Sequence, residues 1–272
     1  MAFQIKNHRF VGVDQKTTPN MSPGTISPTL IVVHDTAGSS FDGSLSWMMQ
    51  SKAKAAAHLL IGQDGRIVQL GAFNRKVWHA GASRWDGRQY CNGFSVGIEF
   101  DNPGILDRGG RAWFGRTFDD AVPFSTEYHG TGAAKPYTEA QLEVGQEAVL
   151  AIARHYGITE LAAHYEISPG RKYDTTPIFP LEKFRGLVTG RADPAGDDSD
   201  TGYDARVRVE GLNLRRWPTN QDNVIRALQA DEYLTIIRSG IYANGFPEAR
   251  WHQVETVEGE KGWIHSAYVT LL

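Results

Sequence analysis

Short apolar runs rich in β-branched residues recur along the first two-thirds of the chain, each about the length of a buried strand. Leu30–Val33 (LIVV) follows Pro28 and has no polar position, the pattern of a strand covered on both faces. The segment HLLIGQDGRIVQL sets two such runs around Asp64-Gly65, which predicts a hairpin. Ser95–Phe100 (SVGIEF) predicts another strand: Ser95, Gly97 and Glu99 fall on one face, Val96, Ile98 and Phe100 on the other. Leu161–Ala163 reads as one more short strand.

Helical spacing is clearest over 138–156, where Leu142, Val149, Ile152 and Tyr156 share a face. Thr138 and Gln141 form a T-x-x-Q capping box, and Gly157 is placed to end the helix. The Ala-rich stretch Ser44–Ala56 reads as a second helix. Interleaved strands and helices predict an α/β layer fold. Residues 101–137 are Gly-rich, aromatic and weakly periodic, and read as a long loop, a feature that is usually functional in a compact domain.

The pattern breaks at 190–204, where GRADPAGDDSDTGYD has almost no apolar residue and reads as a linker. The expected organisation is a domain over 1–190, a linker over 191–203 and a second domain over 204–272. The second domain shows short strand-like runs at 206–210, 212–216, 233–238, 250–255, 261–264 and 268–271. Turn residues separate them, notably at 217–220 and 243–245, the pattern of a small β-barrel.

Composition narrows the chemistry. A chain of 272 residues suits one large or two unequal domains. Its net charge of −3 gives nucleic-acid binding no support. The single cysteine, Cys91, excludes an intramolecular disulfide and a cysteine-cluster zinc site, so any metal must rest on histidine and carboxylate. The opening MAFQIKNHRFVGVDQ lacks the apolar stretch of a secretory signal, and no run approaches the ~18 apolar residues of a membrane span. The expectation is cytoplasmic synthesis without a signal peptide and no membrane insertion. Action outside the cell would then require release by some other agent.

Among nine histidines, two sit at strand ends: His34 closes LIVV before the polar DTAGSS, and His164 closes LAA before YEISPGRKYD. Strand ends next to loops are where sites are commonly built. With Asp174 as a third ligand, this set matches an open zinc site of the catalytic type. Spacing alone also allows plain capped loops, since no compact motif such as H-E-x-x-H is present. On the residues alone, Glu99 reads as a solvated glutamate on a half-exposed strand and Lys172 as a surface lysine. His79 reads as a packing residue, and His58, within AAAHLLI, as structural.

The ordered blocks LIVVHDTAGS, AAAHLLIGQDGRIVQL, VWHAGAS, NGFSVGIEF, YTEAQ and AAHYEISPGRKYDTTPIFP resemble the type 2 N-acetylmuramoyl-L-alanine amidase family across about residues 28–187. The resemblance implies a mixed central sheet flanked by helices and a Zn2+ ion held by His34, His164 and Asp174. It implies hydrolysis of the amide between N-acetylmuramic acid and L-alanine, with peptidoglycan or muropeptides as partners. Glu99 matches the family's general base, Lys172 the basic position beside the zinc, and His79 a position near the substrate. Asn92 and Trp85 lie in a segment expected near the cleft and are carried as substrate-contact candidates. Where other members have a Tyr before the hairpin histidine, this chain has Ala57, so Glu99 is expected to carry the base role. Trp113, Phe114, Phe118 and Tyr128 either wall a sugar-binding groove or anchor a long loop.

GLNLRRWP, ADEYLTII and GWIHSAYV resemble a bacterial SH3-type domain over about 204–272, with Trp251 and Trp263 as core and groove residues. That resemblance implies an SH3-like all-β barrel and binding to cell-wall peptides, which would tether the catalytic domain to a polymer. The segment SGIYANGFPE, longer and more apolar than the usual tight turn, departs from the pattern. The expected whole is a monomeric phage-type endolysin or other wall-lytic enzyme. A cytoplasmic muropeptide-recycling amidase, a lysin directed at neighbouring cells and a non-catalytic peptidoglycan-binding protein are the competing expectations.

Overall fold

Six strands build the sheet that carries the site. Their spatial order is Leu161–Ala163, Leu30–Asp35, Ser95–Phe100, Leu59–Ile61, Ile67–Gln69, Asp14–Gln15. The first four run parallel, Leu59–Ile61 and Ile67–Gln69 form the antiparallel hairpin expected around Gly65, and Asp14–Gln15 runs parallel at the edge. This computed structural model describes residues 3–189, 204–216, 223–242 and 250–271. The chain divides into two compact units, Met1–Ala195 and Gly196–Leu272. The expected linker at 191–203 and the expected turns at 217–220 and 243–245 lie outside the described residues.

Alternation along the central strands decides which face does what. Ile31, Val33, Val96, Ile98 and Phe100 join Val149 and Ile152 of the Glu139–Tyr156 helix and Phe184 of the Leu181–Thr189 helix in the main core. Each such side chain, fully buried, contributes roughly 1.5–3 kcal/mol. Gly145 lets that helix approach closely, since a Cβ there would lie 2.6 Å from the Phe100 ring. The opposite face carries Leu30 and Val32, packed with Ala80, Cys91 and Ile167, and leaves the strand ends for chemistry. Among the described residues no helix is long and apolar enough to cross a membrane.

Several local expectations change. The helix expected over Ser44–Ala56 runs Phe41–Met48 instead, followed by a 3-10 turn at Ser51–Ala53. Ser40 starts it early by accepting from Gly43 N at 3.2 Å, and Lys54, with φ 50°, ends the turn. The alanines that looked helical, Ala56 and Ala57, are buried as extended chain leading into the next strand. Only half of the capping box forms: Thr138 Oγ1 accepts from Gln141 N at 3.2 Å. The Gln141 amide instead donates to Ile61 O and Asp101 O, tying the helix to the sheet. Residues 101–137 are not a plain loop. They hold a three-stranded sheet of Ile105–Leu106, Val122–Thr126 and Gly130–Ala134, whose alternation Pro123, Gly130 and Gly132 conceal.

Among its described residues the second unit is β, with seven strands in the order Val224–Leu228, Leu212–Arg215, Lys261–His265, Arg250–Thr256, Tyr233–Tyr242, Asp204–Val207, Val269–Leu271. Every pairing is antiparallel, around a core that includes Leu214, Leu234, Val254 and Ile264. Trp251 is buried beside it. Val224–Leu228 was not expected from the sequence; its Arg226 breaks the apolar run and is held by Glu232 and Glu260, each at 2.5 Å.

Candidate active site

Strand register places the first two groups. His34 pairs with Glu99 across neighbouring parallel strands, so both side chains point to one face at the carboxyl ends, where open α/β sheets place their ligands. Leu161–Ala163 runs parallel on the other side of Leu30–Asp35, and the next residue is His164. His164 opens a short helix braced by Glu166, whose Oε2 accepts from Ala163 N at 2.8 Å. Arg185 grips that carboxylate with two contacts of 2.6 and 2.7 Å.

The loop after this helix returns Asp174 to the two histidines. His34 Nδ1 lies 2.9 Å from His164 Nδ1 and 3.1 Å from Asp174 Oδ2, and His164 Nδ1 lies 2.8 Å from the same oxygen. Two imidazole nitrogens and a carboxylate oxygen therefore converge on one point, all three within 4.8 Å of one another. In a tetrahedral zinc site with bonds near 2.0–2.1 Å, ligand atoms stand about 3.3 Å apart, so the observed triangle needs only a small expansion. Two imidazole nitrogens and one carboxylate oxygen are a donor set that suits zinc.

Burial, then the neighbouring His164, lowers the His34 imidazole to about 4, so it is neutral at pH 7. Burial alone would raise the Asp174 carboxyl, but its close approach to His164 and His34 outweighs burial and keeps the carboxylate ionised. One negative charge and two imidazole nitrogens thus converge as a sink for positive charge. Glu99 is half-buried, and its Oε2 has neither solvent nor a hydrogen-bond partner. Burial, then Asp174 and Asp35, push its carboxyl well above the usual range, against the pull of Lys172. A carboxyl raised in this way is what a general base for neutral pH requires.

The Asp174 loop is held from two sides. Buried Asp35 accepts from Tyr137 OH at 2.5 Å and from Thr176 N at 2.6 Å, and burial raises it to about 7. From the 122–134 hairpin, Tyr128 OH donates to Lys172 O at 2.9 Å and accepts from Gly170 N at 2.8 Å. His129 Nε2 reaches Tyr173 O at 3.1 Å and Thr175 O at 3.2 Å. Phe114 and Phe118 pack with Leu106, Ala112 and Ala133, so these aromatics anchor the segment. Trp113 is different: it is 79% exposed, and its indole N–H donates to Ala37 O at 2.8 Å, three residues beyond His34.

The other expected site residues separate. His79 is buried, with Nδ1 3.0 Å from His34 Nε2 and Nε2 3.1 Å from Ser95 Oγ. Asn92 Oδ1 accepts from the backbone of His79 at 3.0 Å and of Ala80 at 2.7 Å, fixing that segment rather than opening onto a cleft. Trp85 is not brought to the cluster. Its indole N–H donates to Glu160 Oε2 at 2.9 Å, at the far end of the strand whose other end carries His164. His58 is structural: Nδ1 accepts from Gly97 N at 3.0 Å and Nε2 donates to Arg75 O at 2.9 Å. Sequence reading missed Asp35, Tyr137 and His129, and gave Tyr128 only as a groove wall or loop anchor. The one available signal was the position of Asp35 directly after a strand-end histidine.

A family model described as N-acetylmuramoyl-L-alanine amidase matches residues 24–177, and one described as bacterial SH3 domain matches residues 210–270. The chain is 28% identical over 200 residues to 1,6-anhydro-N-acetylmuramyl-L-alanine amidase AmpD of Escherichia coli, covering 66% of this chain and 93% of that protein. It is 32% identical over 138 residues to the AmpD of Citrobacter freundii, covering 50% of this chain and 58% of that one. A crystal structure of a selenomethionine AmpD derivative superposes with a TM-score of 0.50 at 26% identity, over 68% of this chain and 99% of the other.

Proposed function

The chain belongs to the N-acetylmuramoyl-L-alanine amidase family, and on that premise we propose that His34, His164 and Asp174 hold zinc while Glu99 and Lys172 carry the proton and charge work of amide hydrolysis. The observation that supports this most is the convergence of two imidazole nitrogens and one ionised carboxylate beside a half-buried glutamate whose Oε2 has no hydrogen-bond partner.

Zinc in such a site supplies Lewis-acid polarisation of the scissile carbonyl and acidifies water toward a pKa of about 7. Glu99 takes a proton from the attacking water as its oxygen bonds to the carbonyl carbon. The same carboxyl then delivers that proton to the L-alanine nitrogen as the C–N bond breaks, which frees the stem peptide as an amine. The Lys172 ammonium, close enough to act electrostatically on both Glu99 and His34, offsets the negative charge that grows on the carbonyl oxygen. Trp113, exposed beside the loop that follows His34, offers a flat face for a sugar ring.

Two substrates fit this chemistry. The SH3-type domain favours polymeric peptidoglycan, because a soluble muropeptide needs no tether, and this supports a wall-lytic, endolysin-like role. The names of the AmpD relatives favour an anhydromuropeptide and hence a recycling role. The deciding experiment measures zinc per chain and compares rates on intact sacculi and on a soluble 1,6-anhydromuropeptide, with products identified by mass spectrometry. His164→Ala should lose zinc and activity, whereas Glu99→Gln should keep zinc and lose activity. Wild type that binds sacculi without zinc and without new L-alanine amino termini would instead be a wall-binding protein on an amidase fold.

A further inference from the structure

The protons of the buried histidines can be assigned one by one, starting from a group that can only accept. Cys91 O is a carbonyl; it takes Phe94 N–H at 3.0 Å and Ser95 Oγ–H at 2.6 Å, which fills both lone pairs. With its proton committed there, Ser95 Oγ can only accept from His79, so the contact of 3.1 Å is His79 Nε2–H donating. Neutral His79 then has a bare lone pair on Nδ1, and the contact of 3.0 Å to His34 must be His34 Nε2–H donating. His34 is left with a bare Nδ1, the atom that faces His164 and Asp174.

The second histidine is set by the next residue along the chain. His164 Nε2 lies 3.2 Å from Ala80 O, which can only accept. Arg171 Nη2 is also near His164 Nε2, at 3.4 Å, but its two protons go to shorter partners, Ala80 O at 2.7 Å and Ser168 Oγ at 2.7 Å. So His164 also carries its proton on Nε2 and turns a bare Nδ1 to the centre. Asn92 Oδ1 grips the amides of both His79 and Ala80. Gly97 gives the His79 ring its place: a Cβ there would lie 2.4 Å from Cγ of the ring.

We propose that His79 is a positioning residue, backed by Ser95, whose Nδ1 fixes His34 in the Nε2–H tautomer and so presents its Nδ1 lone pair to the metal, while Ala80 O does the same for His164. This assignment gives His79 no substrate contact, and it rests on the zinc reading above. Partners behind a ligating histidine are typically worth about 10–100-fold in metal affinity.

The test uses the full chain with zinc removed and returned. Zinc affinity is measured by competition with a chromophoric chelator, and histidine tautomers by long-range proton–nitrogen spectra of the zinc-free protein. Wild type should show His34 protonated on Nε2. His79→Ala should lose that fixed tautomer and bind zinc about 10–100-fold more weakly. His79→Asn, whose side-chain oxygen can take the place of Nδ1, should recover most of the affinity, and Ser95→Ala should fall between. A KM increase in His79→Ala with zinc affinity within about twofold of wild type would overturn the proposal. So would zinc-free wild type with its His34 proton on Nδ1. Should His79→Ala fail to fold, Ser95→Ala decides: unchanged tautomer and unchanged affinity overturn the relay. Wild type that binds no zinc defeats the zinc reading instead, while the tautomer spectra judge the relay separately.

Discussion

Gly97→Ala should act as a wedge aimed at one ring. Gly97 lies in the central strand with His79 directly over it, and an added Cβ would stand 2.4, 2.6 and 2.8 Å from Cγ, Nδ1 and Cδ2 of that ring. Ordinary carbon contacts begin near 3.5 Å, so the ring or the strand must yield about 1 Å. The ring is held at both nitrogens, by His34 and Ser95, and cannot retreat without breaking a hydrogen bond. Overpacking of this kind costs about 1–3 kcal/mol. At about 2–4 °C per kcal/mol for a domain of this size, the melting temperature should fall by roughly 2–12 °C. Calorimetry on zinc-free protein measures it, with Gly93→Ala as control, because a Cβ at Gly93 meets nothing within 4 Å. The sharper assay is a double-mutant cycle: a His79→Ala background removes the three atoms nearest the wedge, and Gly97→Ala should cost less than ~0.5 kcal/mol there. A cost that is the same in both backgrounds would refute the reasoning.

Three further outcomes follow from the same structure. His58 is buried and lowered to about 4, so its folded pKa lies below the unfolded value of 6.5; the stability it contributes is full above about 6.5 and is lost as pH falls toward 4. His58→Gln should therefore remove about 3 kcal/mol of acid sensitivity from denaturant titrations between those pH values, and an unchanged slope would count against this burial effect. Glu99→Gln should keep one zinc per chain yet lower kcat about 10²–10⁴-fold in single-turnover assays, and near-normal turnover would remove Glu99 from the base role. Arg185→Met releases the Glu166 carboxylate that braces the His164 helix, and should cost about 1–3 kcal/mol in urea unfolding; a negligible change would mean the pair is only superficial.

Legibility in the sequence followed the range of each signal. Leu30–Asp35 and Ser95–Phe100 were readable because a buried strand must be apolar and alternation assigns its faces; the register that puts Glu99 on the face of His34 was not, because it joins two strands distant in sequence. The hairpin at Gly65 was readable because its turn chemistry is local. Gln141 was half readable: a cap is local, but the carbonyls of Ile61 and Asp101 that take its amide are distant in sequence. Nothing in the strings around Tyr128 and His129 shows that they grasp the backbone of residues 170–175, because glycines and a proline hide the strands that deliver them. His79 showed its presence but not its job, which depends on where the protons of His34, His79 and Ser95 reside.

The register that pairs His34 with Glu99 has a consequence for how such a protein can diversify. Adjacent strands stand about 4.8 Å apart, so the spacing between these two groups is set by the sheet itself and not by any loop. The parts of the 101–137 segment that do not hold the Asp174 loop can lengthen, shorten or be exchanged without altering that spacing. A single-residue deletion inside Ser95–Phe100 has the opposite effect, turning Glu99 toward the helix-covered face and bringing a hydrophobic side chain up beside His34. Substrate range is thus free to drift in the loops, while the chemistry tolerates no frame change in six residues.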